Sequence, residues 1–203
     1  MPRPVTEDNG PARFLPRACP RRWKGLDGIS APIHSTGSVL IIFIAVRYVR
    51  DNMEGYRVIT TAEQPSAAIR ERVRHEDIAS AIGRAYGELG EFIARRGLRV
   101  VGPPFVYYHS WTGEDTDLEC GFPLKEPFEG EGHIRPFTLP SVRAATGVHV
   151  GPYRRLMETY AAMEKWMRSQ GYEPAGRMWE RYLNEPGKVP DEKLMTEIFW
   201  EIK

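Results

Sequence analysis

Cysteine is almost missing from this sequence: Cys19 and Cys120 are the two found among its 203 residues. So few thiols exclude a disulfide framework and a thiolate metal site, and a reducing cytoplasm is the expected compartment. Histidine is nearly as sparse, five in all, with no H-x-x-x-H or H-E-x-x-H pair, so neither a metal nor a cofactor is expected. Long apolar runs are lacking too. The longest, Val39 to Val46, falls far short of the ~20 residues that cross a bilayer. It also sits too late for a signal-peptide core, so no membrane partner is expected. Finally, no charge sign dominates: 28 Lys and Arg face 27 Asp and Glu, which removes any general attraction to nucleic acid or lipid surfaces.

What is present divides at residue 53. Residues 1–52 hold eight basic against four acidic residues, whereas 53–203 hold twenty against twenty-three. The first part is rich in Pro, Gly and Arg and shows no period of two or 3.6, so it reads as a disordered or non-native extension. The sequence "MEGYRVITT" then opens a strand pattern, and a natural start at Met53 is expected. Without amphipathic helices in the extension, a helix-turn-helix has no material, and direct DNA binding is not expected.

Residues 53–203 repeat themselves. At a constant offset of 74, "AYGELGEFIARRGLRVVGPPFVYYH" (85–109) aligns with "TYAAMEKWMRSQGYEPAGRMWERYL" (159–183). Tyr86 meets Tyr160, Gly97 meets Gly171, Phe105 meets Trp179 and Tyr108 meets Tyr182; "DTDLECGF" and "KLMTEIFW" add a strand to each copy. Each copy, roughly 56–124 and 133–203, reads as strand–helix–strand–strand. The apolar spacing of Ile78, Ile82, Ala85, Leu89 and Phe92 predicts a helix, and Gly97 and Gly171 stand where a left-handed C-cap is required. The expected fold class is α+β, with a curved antiparallel sheet, two helices on one face and a ligand cleft on the other.

The stretches "GYRVITT", "GPPFVYYH", "LECGFPL", "VHVGPYRRL", "WERYLNEP" and "TEIFWEIK" occur in order, and together they resemble the GyrI-like (gyrase-inhibitor-like) effector-binding family over residues 54–203. That family also supplies the drug-sensing domains of AraC-type and MerR-type activators. The resemblance implies tandem strand–helix–strand–strand (SHS2) modules with a small-molecule cleft. It implies that the glutamate of the W-E-R-Y motif, here Glu180, receives lipophilic cations among aromatic rings. Other members resemble hydrolases of cyclopropane-bearing natural products that use the same glutamate, which would make Glu180 catalytic. A third reading is a protein partner, a regulator or gyrase. Oligomeric state is left open.

Alternation puts Glu180 and Tyr182 on one strand face, with Trp179 and Arg181 on the other. In the first copy, Val106 and Tyr108 share the corresponding face. If Phe105 and Trp179 pack under the helices, then Val106, Tyr108, Glu180 and Tyr182 line the cleft. A carboxylate under rings suits an organic cation, and burial would raise its pKa. Against this stands a plain ion pair of Glu180 with Arg177 or Arg181 on an exposed strand. Tyr153, at a helix start, either hangs over the cleft or packs; Trp111 and Phe137, near turns, are candidates for its rim. Glu119 and Glu197 are either cross-strand partners of basic residues or ligand contacts. His149 reads as packed against the helix, and Cys120 as core.

Overall fold

The structure, a computed structural model, describes residues 55–203. The expected extension and the start at Met53 lie outside the described residues. The elements run β1 (Arg57–Thr60), β2 (Gln64–Arg74), α1 (Ile78–Arg96), β3 (Phe105–Trp111), β4 (Asp115–Pro123), β5 (Arg135–Leu139), β6 (Arg143–Val150), α2 (Leu156–Ser169), β7 (Pro174–Tyr182) and β8 (Met195–Ile202). Short 3-10 turns, His75–Asp77 and Tyr153–Arg155, lead into the two helices.

Each helix forms where the apolar spacing places it and stops at its glycine. Ile78, Ile82, Ala85, Leu89 and Phe92 are all buried along one face of α1. Gly97 closes it at φ 62°, a left-handed position, with Leu98 N–H donating to Ile93 O at 3.0 Å. Gly171, at φ 78°, stands just beyond α2 in the same way.

The strands form one eight-stranded antiparallel sheet in the order β1-β6-β8-β7-β3-β4-β2-β5. Exchanging each strand for its repeat equivalent (β1 with β5, β2 with β6, β3 with β7, β4 with β8) reproduces this order read backwards. The repeat therefore survives as a pseudo-twofold axis through the β3–β7 pair. The edge strands are traded: β1 of the first copy pairs with β6 of the second, and β5 of the second with β2 of the first. Phe137, expected near a turn, lies inside β5. Pro136 beside it masks the strand in the sequence and is tolerated because β5 is an edge.

Both faces of the sheet are buried. On one, α1 packs on β2 and β4 and α2 on β6, over a core that includes Val106, Tyr108, Cys120, Met178, Tyr182 and Trp200. On the other, Phe105, Tyr107, Trp179 and Phe199 form a second core with Leu139 and Phe137. The sheet curls around this second core. The two links that follow the edge strands meet across it: Thr61 N–H donates to Val142 O at 2.8 Å, and the Ser141 hydroxyl to Thr61 O at 2.8 Å.

One expectation is corrected here. Phe105 and Trp179 do not pack under the helices; Val106, Tyr108 and Tyr182 do. Alternation separated the faces correctly, but both are apolar, and the choice of which receives the helices rests on tertiary packing.

Close packing on the helix-free face yields a first prediction. A Cβ on Gly121 would lie 2.4 Å from Cζ of the fully buried Phe105 ring. Gly121→Ala is expected to lower stability by about 1–3 kcal/mol in urea unfolding. An unchanged midpoint would show that the ring gives way freely.

Candidate functional site

β7 and β3 lie at the centre of the sheet, between the strands that carry the two helices. Their register pairs Val106 with Glu180, flanked by Tyr107 with Trp179 and Phe105 with Arg181. Val106 and Glu180 are also repeat equivalents, so the pseudo-twofold passes between them. At that point one copy carries an isopropyl group and the other a carboxyl.

Glu180 is 1% exposed. The Tyr182 hydroxyl donates to its Oε2 at 2.6 Å and the Tyr108 hydroxyl to the same oxygen at 3.4 Å. These two tyrosines are themselves related by the pseudo-twofold. Oε1 is buried with no hydrogen-bond partner, and among the described residues no basic side chain forms a salt bridge with Glu180. Arg181 instead points to the other face and binds Glu197 at 2.5 Å. Burial pushes the Glu180 carboxyl up to about 7, opposed by the hydrogen bonds from Tyr182 and Tyr108, which favour the anion.

Rings surround this carboxyl on the helix side. Tyr153 meets Tyr182 edge-on at 5.6 Å, and Trp111 stacks on Tyr108 at 5.1 Å. Both are half-buried, each at one side of the cluster. Tyr86 from α1 meets Tyr182 at 6.4 Å, and His75 meets Trp111 at 5.5 Å. Glu180, Tyr182, Tyr108, Val106, Tyr153 and Trp111 thus share one face. Phe137 does not join them; it packs on Phe105 and Tyr107 across the sheet.

Tyr86 and His75 escaped the sequence reading. Tyr86 was legible as the repeat partner of Tyr160, which instead meets Trp200, and nothing local distinguishes its added contact with Tyr182. His75 stands in the turn before α1, at the place Tyr153 takes before α2, a correspondence that the offset of 74 hides by setting His75 against His149.

The remaining candidates have structural partners. Glu119 binds His109 at 2.7 Å, and Glu197 binds Arg181, so both are partners of basic residues. His149 accepts or donates with Thr159 of α2 at 2.7 Å, and burial lowers its pKa. Cys120 is buried. Among the described residues no cluster of His, Cys, Asp and Glu is placed to hold a metal ion, and no helix is long and apolar enough to cross a membrane.

A sequence profile described as the GyrI-like small molecule binding domain matches residues 55–203. The chain belongs to the GyrI-like family. As a GyrI-like domain it is a small-molecule-binding module, and solved structures share its fold. EcmrR in a DNA complex superposes with a TM-score of 0.64 at 21% identity, over 82% of this chain and 64% of that one. This chain thus spans less than two thirds of EcmrR. A hydrolase from Listeria innocua superposes at 0.58 and 12% identity, over 79% of this chain and 97% of that one. SAV2435 bound to tetraphenylphosphonium follows at 0.55 and 15% identity, over 73% and 94%. A comparison with curated proteins gives no match.

Proposed function

We propose that this GyrI-like domain binds small lipophilic cations at Glu180, between the two helices, for sensing or sequestration. One observation carries the reading: a wholly buried carboxyl under tyrosine rings, with one oxygen left without a partner. A delocalised cation would supply that partner without demanding the hydration a compact ion requires. Each ring face adds ~0.5–2 kcal/mol of cation–π attraction. SAV2435, which shares the fold, was solved with such a cation, tetraphenylphosphonium. Because Glu180 is closed over, a ligand reaches it by displacing Tyr153 or Trp111, the half-buried rings at the two sides.

Tetraphenylphosphonium is expected to raise the melting temperature of the wild type at pH 8, and Glu180→Gln to remove most of that rise. Equal stabilisation of both proteins would take Glu180 out of the site.

A hydrolytic reading has one observation in its favour. A carboxyl that titrates at about 7 can take a proton from water and return it to a leaving carbon. Turnover of a cyclopropane-bearing alkylator, followed by mass spectrometry, separates the two readings, since a binder forms no product.

A further inference from the structure

The helix-free side of the sheet holds a cavity of about 350 Å3, at the lower end of the ~300–1,000 Å3 usual for small-molecule sites. Its floor is the Trp179 and Phe199 pair, stacked at 4.9 Å and 3°. Ile59 and Leu139, one from each edge strand, wall it, together with the link that follows β1. At its rim stands Val101, 46% exposed and one of two large apolar residues so exposed among the described residues.

The pseudo-twofold explains why this space is open. Ile59 pairs with Ala144 of β6 as Phe137 pairs with Ser66 of β2, so Ile59 and Phe137 occupy equivalent positions. In the other half, Phe137 lies 5.9 Å from Phe105 and 5.5 Å from Tyr107, and rings fill the corresponding volume. Isoleucine in place of phenylalanine leaves it vacant here. The two halves therefore diverge on both faces, among other places at Val106 and Glu180 on the helix side and at Phe137 and Ile59 on this one.

The chemistry of the cavity differs from that around Glu180. Its basic residue, Arg181, donates to Glu197 from Nε at 3.1 Å and lies 4.4 Å from the Phe199 ring centroid. That ion pair is internally neutral, and the other charged residue of the lining, Glu63, is exposed to solvent, so no buried charge calls for a charged ligand. A stacked aromatic floor, walled by Ile59 and Leu139 and rimmed by the neutral polar Thr60, Thr61 and Gln64, selects for shape and aromatic area instead. Trp179 and Arg181 flank Glu180 on β7 but face away from it, so the two places share a strand and no lining.

We propose that this cavity is a second ligand site, for flat, uncharged aromatic molecules, separate from the Glu180 centre. N-phenyl-1-naphthylamine, a neutral fluorescent probe, tests it with the full chain. Its fluorescence is expected to rise on binding, and NOEs are expected between its rings and the methyl groups of Ile59 and Leu139. Ile59→Phe, which copies Phe137 into the cavity, is expected to weaken binding at least tenfold while the melting temperature holds. No binding, or NOEs to Val106 and Met178 on the helix side instead, would overturn the proposal. So would an Ile59→Phe protein that is folded and binds as tightly as wild type. Should that variant fail to fold, the NOE pattern of the unaltered chain decides alone.

Discussion

Raising the pH from 4.5 to above 7 is expected to weaken the wild-type fold by about 3 kcal/mol more than the Glu180→Gln fold. The sign follows from burial. In the unfolded chain Glu180 loses its proton near 4.5, but in the folded chain it holds it to about 7. Across that window the native state binds the extra proton, so each rise in pH favours unfolding; above about 7 both states are ionised and the loss is complete. Asp117 acts in the opposite sense. The Arg70 guanidinium holds Asp117 below its usual range, a contribution present at neutral pH and lost on acidification. Because such groups remain in the variant, the difference between two urea-unfolding series isolates Glu180. Parallel curves would mean that its carboxyl does not pay for burial.

Under the proposed function the same proton governs binding. An organic cation needs the carboxylate, and below a pKa of about 7 only a fraction of empty sites offers it. Affinity for tetraphenylphosphonium is therefore expected to rise about 100-fold between pH 5 and pH 8, with little gain beyond. One proton leaves for each cation bound at the acidic end. Calorimetry in buffers of different ionisation enthalpy measures that release directly. Glu180→Gln is expected to bind weakly and without pH dependence. A pH-independent affinity in the wild type would place the cation elsewhere, or leave Glu180 already charged before binding.

Much of this arrangement was legible in advance because the chain repeats. The offset of 74 aligns Val106 with Glu180 from the sequence alone, and the register sets the two side by side. Strand alternation kept Glu180 with Tyr182 and apart from Trp179. The face that receives the helices was not legible. Phe105, Val106, Tyr107 and Tyr108 form an unbroken apolar run, buried throughout, and such a run carries no mark of which side is which. Phe137 was misplaced for a different reason: Pro136 interrupts the strand signal, and only pairing with β2 restores it. Tyr86 and His75 escaped because each reaches the cluster from an element whose own pattern accounts for it fully.

The traded edge strands bear on how the chain can fold during synthesis. When the first copy has emerged, β2 still lacks β5, β3 still lacks β7, and β1 has nothing to pair with until β6 appears. Every seam that joins the halves is long-range in sequence, so closing them requires large loops to be gathered before contacts repay the entropy. The first copy on its own therefore leaves strand edges open until the second supplies β5, β6 and β7. β8, the last strand among the described residues, joins β6 to β7, so the sheet is continuous across both halves only once it is made.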